Sequence, residues 1–443
     1  MKIKIPPSVL FTLTKLEENG HEAYLVGGCV RDVLLGKEPQ DWDITTSALP
    51  QQIKAIFRNT PVIETGITHG TVTVIQDHMP MEITTYRIDG AYIKHRKPEK
   101  VAFGVSLNED LARRDFTVNA MAYHPLKGLI DPFDGSIDLQ NKMLRCVGVA
   151  QQRFEEDALR ILRALRFSAV LGFSIEQKTA QALLTQKELL RQIAAERVQQ
   201  ELIRLLCGAY CAPVLRQYYP ILSVWVPEIL PMVRFDQHTP YHAFDVWEHT
   251  IRTVEAVTPS PILRLTMLLH DSGKPATFSM DDSGTGHFHG HGAVSTELAQ
   301  QVLKRLKCSN VLQKEVCTLV KYHDIRYECT PIWIKHQLRK FGSTRFLQLL
   351  EVHRADISGQ NPTLLHRLET LAYCKQLTEE LLAQPHCITV HDLTINGNDL
   401  QKIGIPSGKT MGTLLQKLLD AVINEQCENN REALLQYAKK VQI

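Results

Sequence analysis

The sequence predicts an α/β head over residues 1–140 followed by a mostly α-helical remainder. Two patterns carry that expectation. In the head, short β-branched stretches alternate with helix-like ones and are separated by Gly, Pro or Asp. Beyond about Asn141 the periodicity is helical almost throughout, as in Leu159, Leu162, Arg163 and Arg166 at three- and four-residue spacing, with no convincing alternating strand. At 443 residues the chain exceeds the roughly 250 to 300 residues at which a single core stops growing, so several domains are expected. A content of 44% hydrophobic and 22% charged residues is that of a globular protein and excludes a disordered, collagen-like or coiled-coil chain.

Taken in order, Val9, Leu10, Leu13 and Leu16 form one apolar helix face, stopped by Gly20. Residues 23–26 then read as a strand, and 42–45, 71–75 and 81–85 as further strands. Breaks rich in Pro, Gly or His at 231–240 and 360–362 divide the helical part into 141–232, 233–359 and 360–443. The richest apolar stretch, 219–233, is interrupted by Pro220, Pro227, Glu228 and Pro231, well short of a membrane span. The N-terminus has no apolar run before Pro6, so no signal peptide is expected and the expected location is cytoplasmic. Fifty basic against 48 acidic residues leave a net charge of +2, so any nucleic-acid surface must be local. The ten cysteines include no CxxC pair; the nearest, Cys207 and Cys211, fall one turn apart in a helix-like segment, and scattered reduced thiols are expected.

Gly27 and Gly28 stand at a strand-to-helix turn, and Asp41 and Asp43 on the strand that follows. Residues i and i+2 of a strand point to one side, so the two carboxylates converge where they could hold divalent cations. Oxygen-only ligation suits Mg²⁺. The glycines let backbone N–H groups approach phosphate oxygens at a helix N-terminus. Glu82 supplies a third carboxylate if its strand is adjacent. Together these features resemble the nucleotidyltransferase superfamily that includes DNA polymerase beta, and the resemblance implies a polymerase-beta-like sheet in which Asp41, Asp43 and Glu82 are catalytic and carry Mg²⁺ for phosphoryl transfer.

Four further strings narrow the resemblance: RRDFTVNA at 113–120, DPFDGSIDL at 131–139, EDALRILRALRF at 156–167 and ERVQQEL at 196–202. In this order they look like the bacterial class of tRNA nucleotidyltransferases, the CCA-adding enzymes. On a helix, Asp157 and Arg160 would be neighbours. A carboxylate accepts from the exocyclic amino group of cytosine or adenine while a guanidinium donates to the adjacent ring nitrogen; uracil and guanine present the reverse order. By the resemblance, Asp157 and Arg160 read the incoming base, Asp115 senses the ribose, and Arg113 and Arg114 sit near phosphate or ribose. Gly27, Gly28, Arg31, Asn119, Glu156, Arg163 and Arg166 complete the implied nucleotide-binding set. Residues 86–103 look like the flexible loop that separates CCA-adding members from those adding CC. The implied partners are tRNA, ATP and CTP, with no membrane and no obligate protein partner. A CC-adding or A-adding relative, a poly(A) polymerase, and a phosphohydrolase with an RNA-binding head stay open at this point.

The helical half carries His249, the adjacent His270 and Asp271, and Asp356, an ordered set that resembles the HD-domain metal-dependent phosphohydrolases. Imidazole with carboxylate suits Ni, Mn, Fe or Zn better than Mg alone. His291 and His323 match the extra histidines some such domains use for a second metal, and Lys274 could contact phosphate. The resemblance implies phosphatase or 2′,3′-cyclic phosphodiesterase chemistry. Finally, GIPSGKT at 404–410 is not a P-loop, because three residues rather than four separate Gly404 from Gly408; a helix-joining turn is expected there, in a tail resembling the family's tRNA-binding tail.

Overall fold

The computed structural model of the protein describes residues 3–64, 66–90, 92–93, 97–98, 101–383 and 387–441. Helix α1, Pro7–Glu18, begins with proline at a position whose N–H needs no partner. It buries Val9, Thr12, Leu13 and Leu16. Leu10 departs from the expected face and is 43% exposed, because Val9, Leu13 and Leu16 already define the i, i+4, i+7 stripe and Leu10 falls beside it.

The head sheet has seven strands: β1 Ala23–Val26, β2 Trp42–Thr46, β3 Val62–Ile63, β4 Thr71–Gln76, β5 Met79–Thr85, β6 Ala122–His124 and β7 Gly128–Ile130. Their spatial order is β7-β6-β1-β2-β5-β4-β3. The four expected strands are present. The three additional ones are two or three residues long, and β6 is buried at every position, so it shows no alternation to read. Central β2 pairs antiparallel with β1 and parallel with β5, and Ile44, Met81, Ile83, Val72 and Val74 of β2, β5 and β4 are fully buried. Strands β4 and β5 join through Asp77 and His78, both at positive φ, a two-residue turn whose twist matches the hairpin. Parts of the expected loop at 86–103, namely residues 91, 94–96 and 99–100, lie outside the described residues.

The chain divides into two units, the first running to Leu230 with Arg305–Lys307, the second comprising Pro231–Lys304 with Cys308 onward. In the first, the sheet is followed by α2 Gly28–Leu34 (after β1), α3 Leu107–Ala112, α4 Ala150–Glu156, α5 Leu159–Leu171 and α6 Ala195–Leu206. Cys207 and Cys211 do not share a helix: α6 ends at Leu206 and the next helix begins at Cys211, across a turn through Gly208. The second unit is helical, with α7 Val246–Ala256, α8 Pro261–Leu269, α9 His291–Arg305, α10 Asn310–Lys321, α11 Ser343–Gly359 and α12 Arg367–Ala383. Two-residue strand pairs, Met143–Leu144 with Ser174–Ile175 and Ser279–Met280 with Gly286–His287, are too short for a sequence pattern. The C-terminal segment builds its own core from Leu393, Ile395, Leu400, Leu418, Ile423 and Leu434. Gly404 and Gly408 both take positive φ in the turn leading into the helix Lys409–Ile423, so GIPSGKT is a helix-joining turn. Among the described residues no helix is long and apolar enough to cross a membrane.

Candidate functional site

In the head, β1 delivers the chain to Gly27, whose φ of +77° is strained for any residue with a side chain and where a Cβ would stand only 3.1 Å from Arg114 Nη1. Helix α2 starts there. Asp41 immediately precedes β2 and Asp43 lies on it; the parallel register sets Asp43 opposite Glu82 on β5, so the third carboxylate is on the adjacent strand. A cleft of about 540 Å³ is lined by Gly27, Gly28, Arg31, Asp41, Asp43, Arg113, Arg114, Asp115, Asn119, Asp157, Arg160, Arg163 and Arg166. Glu82 is exposed and not part of that lining. Neither is Glu156, whose carboxylate is turned to Arg153 and to Arg160 Nη1 at 2.6 Å.

Asp157 and Arg160 reach the cleft by a different route from the one their spacing suggests. Helix α4 ends at Glu156, and Asp157 is extended, at φ −134° and ψ 102°, before α5 begins. Its Oδ1 accepts from Leu159 N–H at 3.1 Å and so opens α5, local bonding that competes with a continuous helix. Asp157 Oδ2 pairs with Arg197 at 3.1 Å, while Arg160 donates to the carbonyls of Arg153 at 3.0 Å and Arg113 at 2.9 Å. Both side chains are therefore oriented by other partners.

The charges of the cleft hold one another. Buried Asp115 takes Arg163 Nε and Nη2 at 2.8 and 2.5 Å; burial alone would raise its pKa, but Arg163 brings it down to about 2. Arg31 donates to Asn119 Oδ1 at 2.7 Å, and Arg166 to Glu201 at 2.6 Å. Asp43 goes the other way: burial, then the charge of Glu82, pushes its carboxyl up to about 6 against the pull of Arg114. A buried Asp43 carboxyl that resists ionisation beside the charges of Glu82 and Asp41 is a donor set a hard divalent cation would relieve, so the residues fit Mg²⁺.

The sequence reading missed Asp110, Arg197, Arg204 and Phe167. Asp110, fully buried on α3, accepts from Arg113 Nε and Nη2 at 2.9 and 2.7 Å, from Arg114 Nη2 at 3.4 Å and from Thr45 Oγ1 at 3.1 Å, tying both cleft arginines to β2. Its spacing of three and four residues from the arginines was the available signal. Arg197 and Arg204 line the cleft from α6 at i and i+7, one helix face, within and just after ERVQQEL.

In the second unit, α7 supplies His249, the end of α8 supplies His270 and Asp271, α9 begins with His291, α10 is followed by His323, and α11 carries Asp356. The six converge. His249 Nδ1 faces the carbonyl of Gly359 at 3.0 Å, His270 Nδ1 that of Met267 at 2.8 Å, His291 Nδ1 that of Phe288 at 2.9 Å and His323 Nδ1 that of Val320 at 2.7 Å. Those carbonyls hold the proton on Nδ1 and leave the four Nε2 lone pairs pointing inward. His249 and His270 Nε2 are 3.3 Å apart, His291 and His323 Nε2 3.1 Å apart. Asp271 stands between the pairs, Oδ2 at 3.3 Å from His249 and His270, Oδ1 at 3.5 and 3.6 Å from His291 and His323. Asp356 Oδ1 adds 3.0 Å to His249.

Facing lone pairs at such distances repel unless a proton or a metal ion lies between them. Burial would keep the His270 ring neutral, but Asp271 and Asp356 outweigh it and push its pKa up to about 10, and both carboxyls are held well below the usual range despite their burial. The pocket asks for positive charge. Two sets of three, His249, His270 and Asp271, then Asp271, His291 and His323, are each compact enough to hold a metal ion. Lys274 is 5% exposed and its Nζ lies 2.7 Å from Asp271 Oδ2 and donates to Gln237 at 2.8 Å, so its charge is engaged within the protein.

Residues 23–145 match the family described as Poly A polymerase head domain, 172–229 the one described as Probable RNA and SrmB-binding site of polymerase A, and 291–438 the one described as tRNA nucleotidyltransferase domain 2, putative. With the sheet and its arginine-lined carboxylate cleft, these define a polymerase-beta-like nucleotidyltransferase. The chain is 35% identical over 430 residues to the CCA-adding enzyme of Lactiplantibacillus plantarum, covering 96% of this chain and 94% of that one. It is 34% identical over 429 residues to that of Streptococcus agalactiae, covering 97% and 95%. The solved structure of the Bacillus stearothermophilus CCA-adding enzyme in complex with CTP superposes with a TM-score of 0.75 at 30% identity, covering 99% of this chain and 98% of that one. The protein belongs to the bacterial CCA-adding enzyme family, the tRNA nucleotidyltransferases.

Proposed function

We propose that the head adds C, C and A to the 3′ end of tRNA from CTP and ATP with release of pyrophosphate. The observation that supports it most is the placement of Asp157 and Arg160 in the same cleft as Asp41 and Asp43, so that base reading and phosphoryl transfer share one cavity. Mg²⁺ held by Asp41 and Asp43, with Glu82 beside them, would lower the charge barrier between the attacking hydroxyl and the triphosphate. The arginines, fixed by Asp110 and Asp115, receive phosphate oxygens in a geometry set before substrate arrives. Arg160, held by Glu156 and two carbonyl groups, presents a fixed donor edge, and Asp157 an acceptor edge, the order that matches cytosine and adenine. Residues 172–229 fit the RNA-binding part, and the protein is expected in the cytoplasm with tRNA. The test is incubation of tRNA lacking its terminus with single NTPs and Mg²⁺. Sequential use of CTP and then ATP is expected; ATP use alone, or untemplated poly(A), would transfer the assignment to an A-adding enzyme or poly(A) polymerase.

A second activity is favoured by the two-sided Asp271 cluster: hydrolysis of phosphomonoesters or 2′,3′-cyclic phosphodiesters, in which water adds to phosphorus and the alcohol leaves with a proton. The four imidazoles and Asp271 and Asp356 suit one or two ions of Ni, Mn, Fe or Zn, which when bound would activate water and neutralise the phosphate. The protein's own contribution is to fix every imidazole tautomer through a backbone carbonyl. Metal content of the purified protein, with p-nitrophenyl phosphate hydrolysis under added Ni²⁺ or Mn²⁺, tests this reading.

A further inference from the structure

In the second unit, the segment that follows His323 is anchored at two points. Tyr327 donates its hydroxyl to the Leu349 carbonyl at 3.3 Å and packs its ring on His353, with centroids 4.2 Å apart, and on Trp333 at 5.4 Å. Thr330 caps the helix Pro331–Phe341, its hydroxyl accepting from Trp333 N–H at 3.3 Å. Cys329 lies between these anchors, so its backbone has little freedom to turn away from what the side chain faces. What it faces is α12: Cys329 Sγ donates to the Thr370 carbonyl at 3.5 Å. Thr370 is one turn before Cys374 on that helix, and the carbonyl of residue 370 is the one to which the Cys374 amide is directed. The Cys374 thiol is accordingly within hydrogen-bonding reach of Cys329.

The two thiols differ in access. Cys329 is half-buried and lines a cavity of about 510 Å³, so a dissolved reagent meets it. Cys374 is 0% exposed. Burial, and then the neighbouring Cys329, push the Cys374 thiol up to about 12, so it stays protonated while the pair is reduced. A reachable thiol with a second one fixed behind it is the arrangement in which a mixed disulfide is resolved within the protein, because the second sulfur is present at a far higher effective concentration than any dissolved thiol.

We propose that Cys329 and Cys374 are a thiol-modification site of the second unit, a dithiol that a low-molecular-weight disulfide of the glutathione class converts reversibly to a disulfide. Cys329, as thiolate, attacks one sulfur of oxidised glutathione; the oxidant's S–S bond breaks and one glutathione leaves, taking up a proton. Cys374 then gives up its proton and attacks the Cys329 sulfur, the mixed disulfide breaks, and the second glutathione leaves as the thiol. Two protein thiols are oxidised and one oxidant disulfide is reduced to two thiols. The new bond ties the segment after His323 to α12 and closes the chain between residues 329 and 374 into a loop, which disfavours the unfolded state. In a reducing compartment the pair stays open, and it closes on oxidative challenge.

The test is the full-length protein incubated with oxidised glutathione, quenched with N-ethylmaleimide and mapped by mass spectrometry. The first two of the ten thiols to be lost should be Cys329 and Cys374, found in one linked peptide pair that dithiothreitol releases. A glutathione adduct on Cys329 should precede the link, since Cys374 must first lose its proton, and should persist in Cys374→Ser. Cys329→Ser should leave Cys374 unmodified. The melting midpoint of the second unit should rise on oxidation in wild type and in neither variant. An adduct on Cys329 that never resolves in wild type, links among other cysteines in its place, or ten thiols still free would each overturn the proposal, and an unchanged midpoint in fully linked protein would overturn the restraint.

Discussion

The head cleft and the histidine cluster both gather charge, but in opposite ways. The cleft sets arginines around a few carboxylates and is open to solvent, with its arginines tied to Asp110, Asp115 and Glu201. It is arranged for an anion that arrives with its own counter-charge. The cluster sets imidazoles around Asp271 among buried side chains, each ring turned by a carbonyl so that its Nε2 faces the others, and the crowded lone pairs favour positive charge between them. The comparison teaches that the electrostatic character of each site is decided by the second partner of each side chain: a carboxylate behind an arginine fixes where its remaining donors point, and a carbonyl behind an imidazole fixes where its lone pair points.

The sharpest way to break the comparison is to cross the two sites. Asp43→Ala should lower nucleotide incorporation by at least about a thousandfold, the several kcal/mol a catalytic cation contributes, while metal retained by the second unit stays unchanged. His270→Ala should do the reverse, removing bound transition metal and any phosphoester hydrolysis while CTP and ATP incorporation continue. Incorporation assays and metal analysis on the same two preparations decide it. If either variant lost both properties, the sites would not be chemically separate.

Smaller effects sharpen the account of the cleft. Asp157→Ala or Arg160→Ala should weaken discrimination against UTP and GTP by roughly ten- to a hundredfold, the worth of one hydrogen bond in a desolvated site, as well as slow addition. Competition between NTPs measures it. Unchanged selectivity in both variants would leave these residues as structural partners of Arg197 and Glu156 only.

How these residues became visible differs. Gly27, Asp41 and Asp43 were legible because a strand, a turn and a strand impose local spacing. The pairing of Asp43 with Glu82 was conditional in the sequence, since strand order is a long-range fact settled by the parallel β2–β5 register. Asp157 and Arg160 were named through resemblance, but the helix assumed for them fails at Asp157, where a side-chain bond to Leu159 N–H wins over helix continuity. Asp110 escaped notice because a buried carboxylate behind two arginines looks, in sequence, like an ordinary helix ion pair. The histidine set spans residues 249 to 356, and nothing in its spacing says that five elements meet; only the resemblance did.

The smallest expected effect concerns the tension at Asp43. Its carboxyl titrates near 6 rather than 3.8, so in the folded protein the ionised form is disfavoured relative to the unfolded chain. The sign follows: a raised carboxyl pKa subtracts stability above pH 6, subtracts progressively less as pH falls from 6 to about 3.8, and nothing below that. Asp43→Asn removes the ionisation and should therefore stabilise the first unit at pH 7.5 by about 1 to 2 kcal/mol in the presence of chelator, with partial solvent access reducing the full shift. The corresponding rise in melting midpoint, about 2 to 4 °C per kcal/mol, should shrink toward zero near pH 4, and should also shrink when Mg²⁺ is added, because the cation stabilises only the wild-type carboxylate set. Incorporation by wild type should fall as pH drops through 6, as protonated Asp43 loses its hold on the cation. A variant that is less stable than wild type at pH 7.5 would show that Asp43 is held by its arginine neighbour more than it is strained by Glu82 and Asp41.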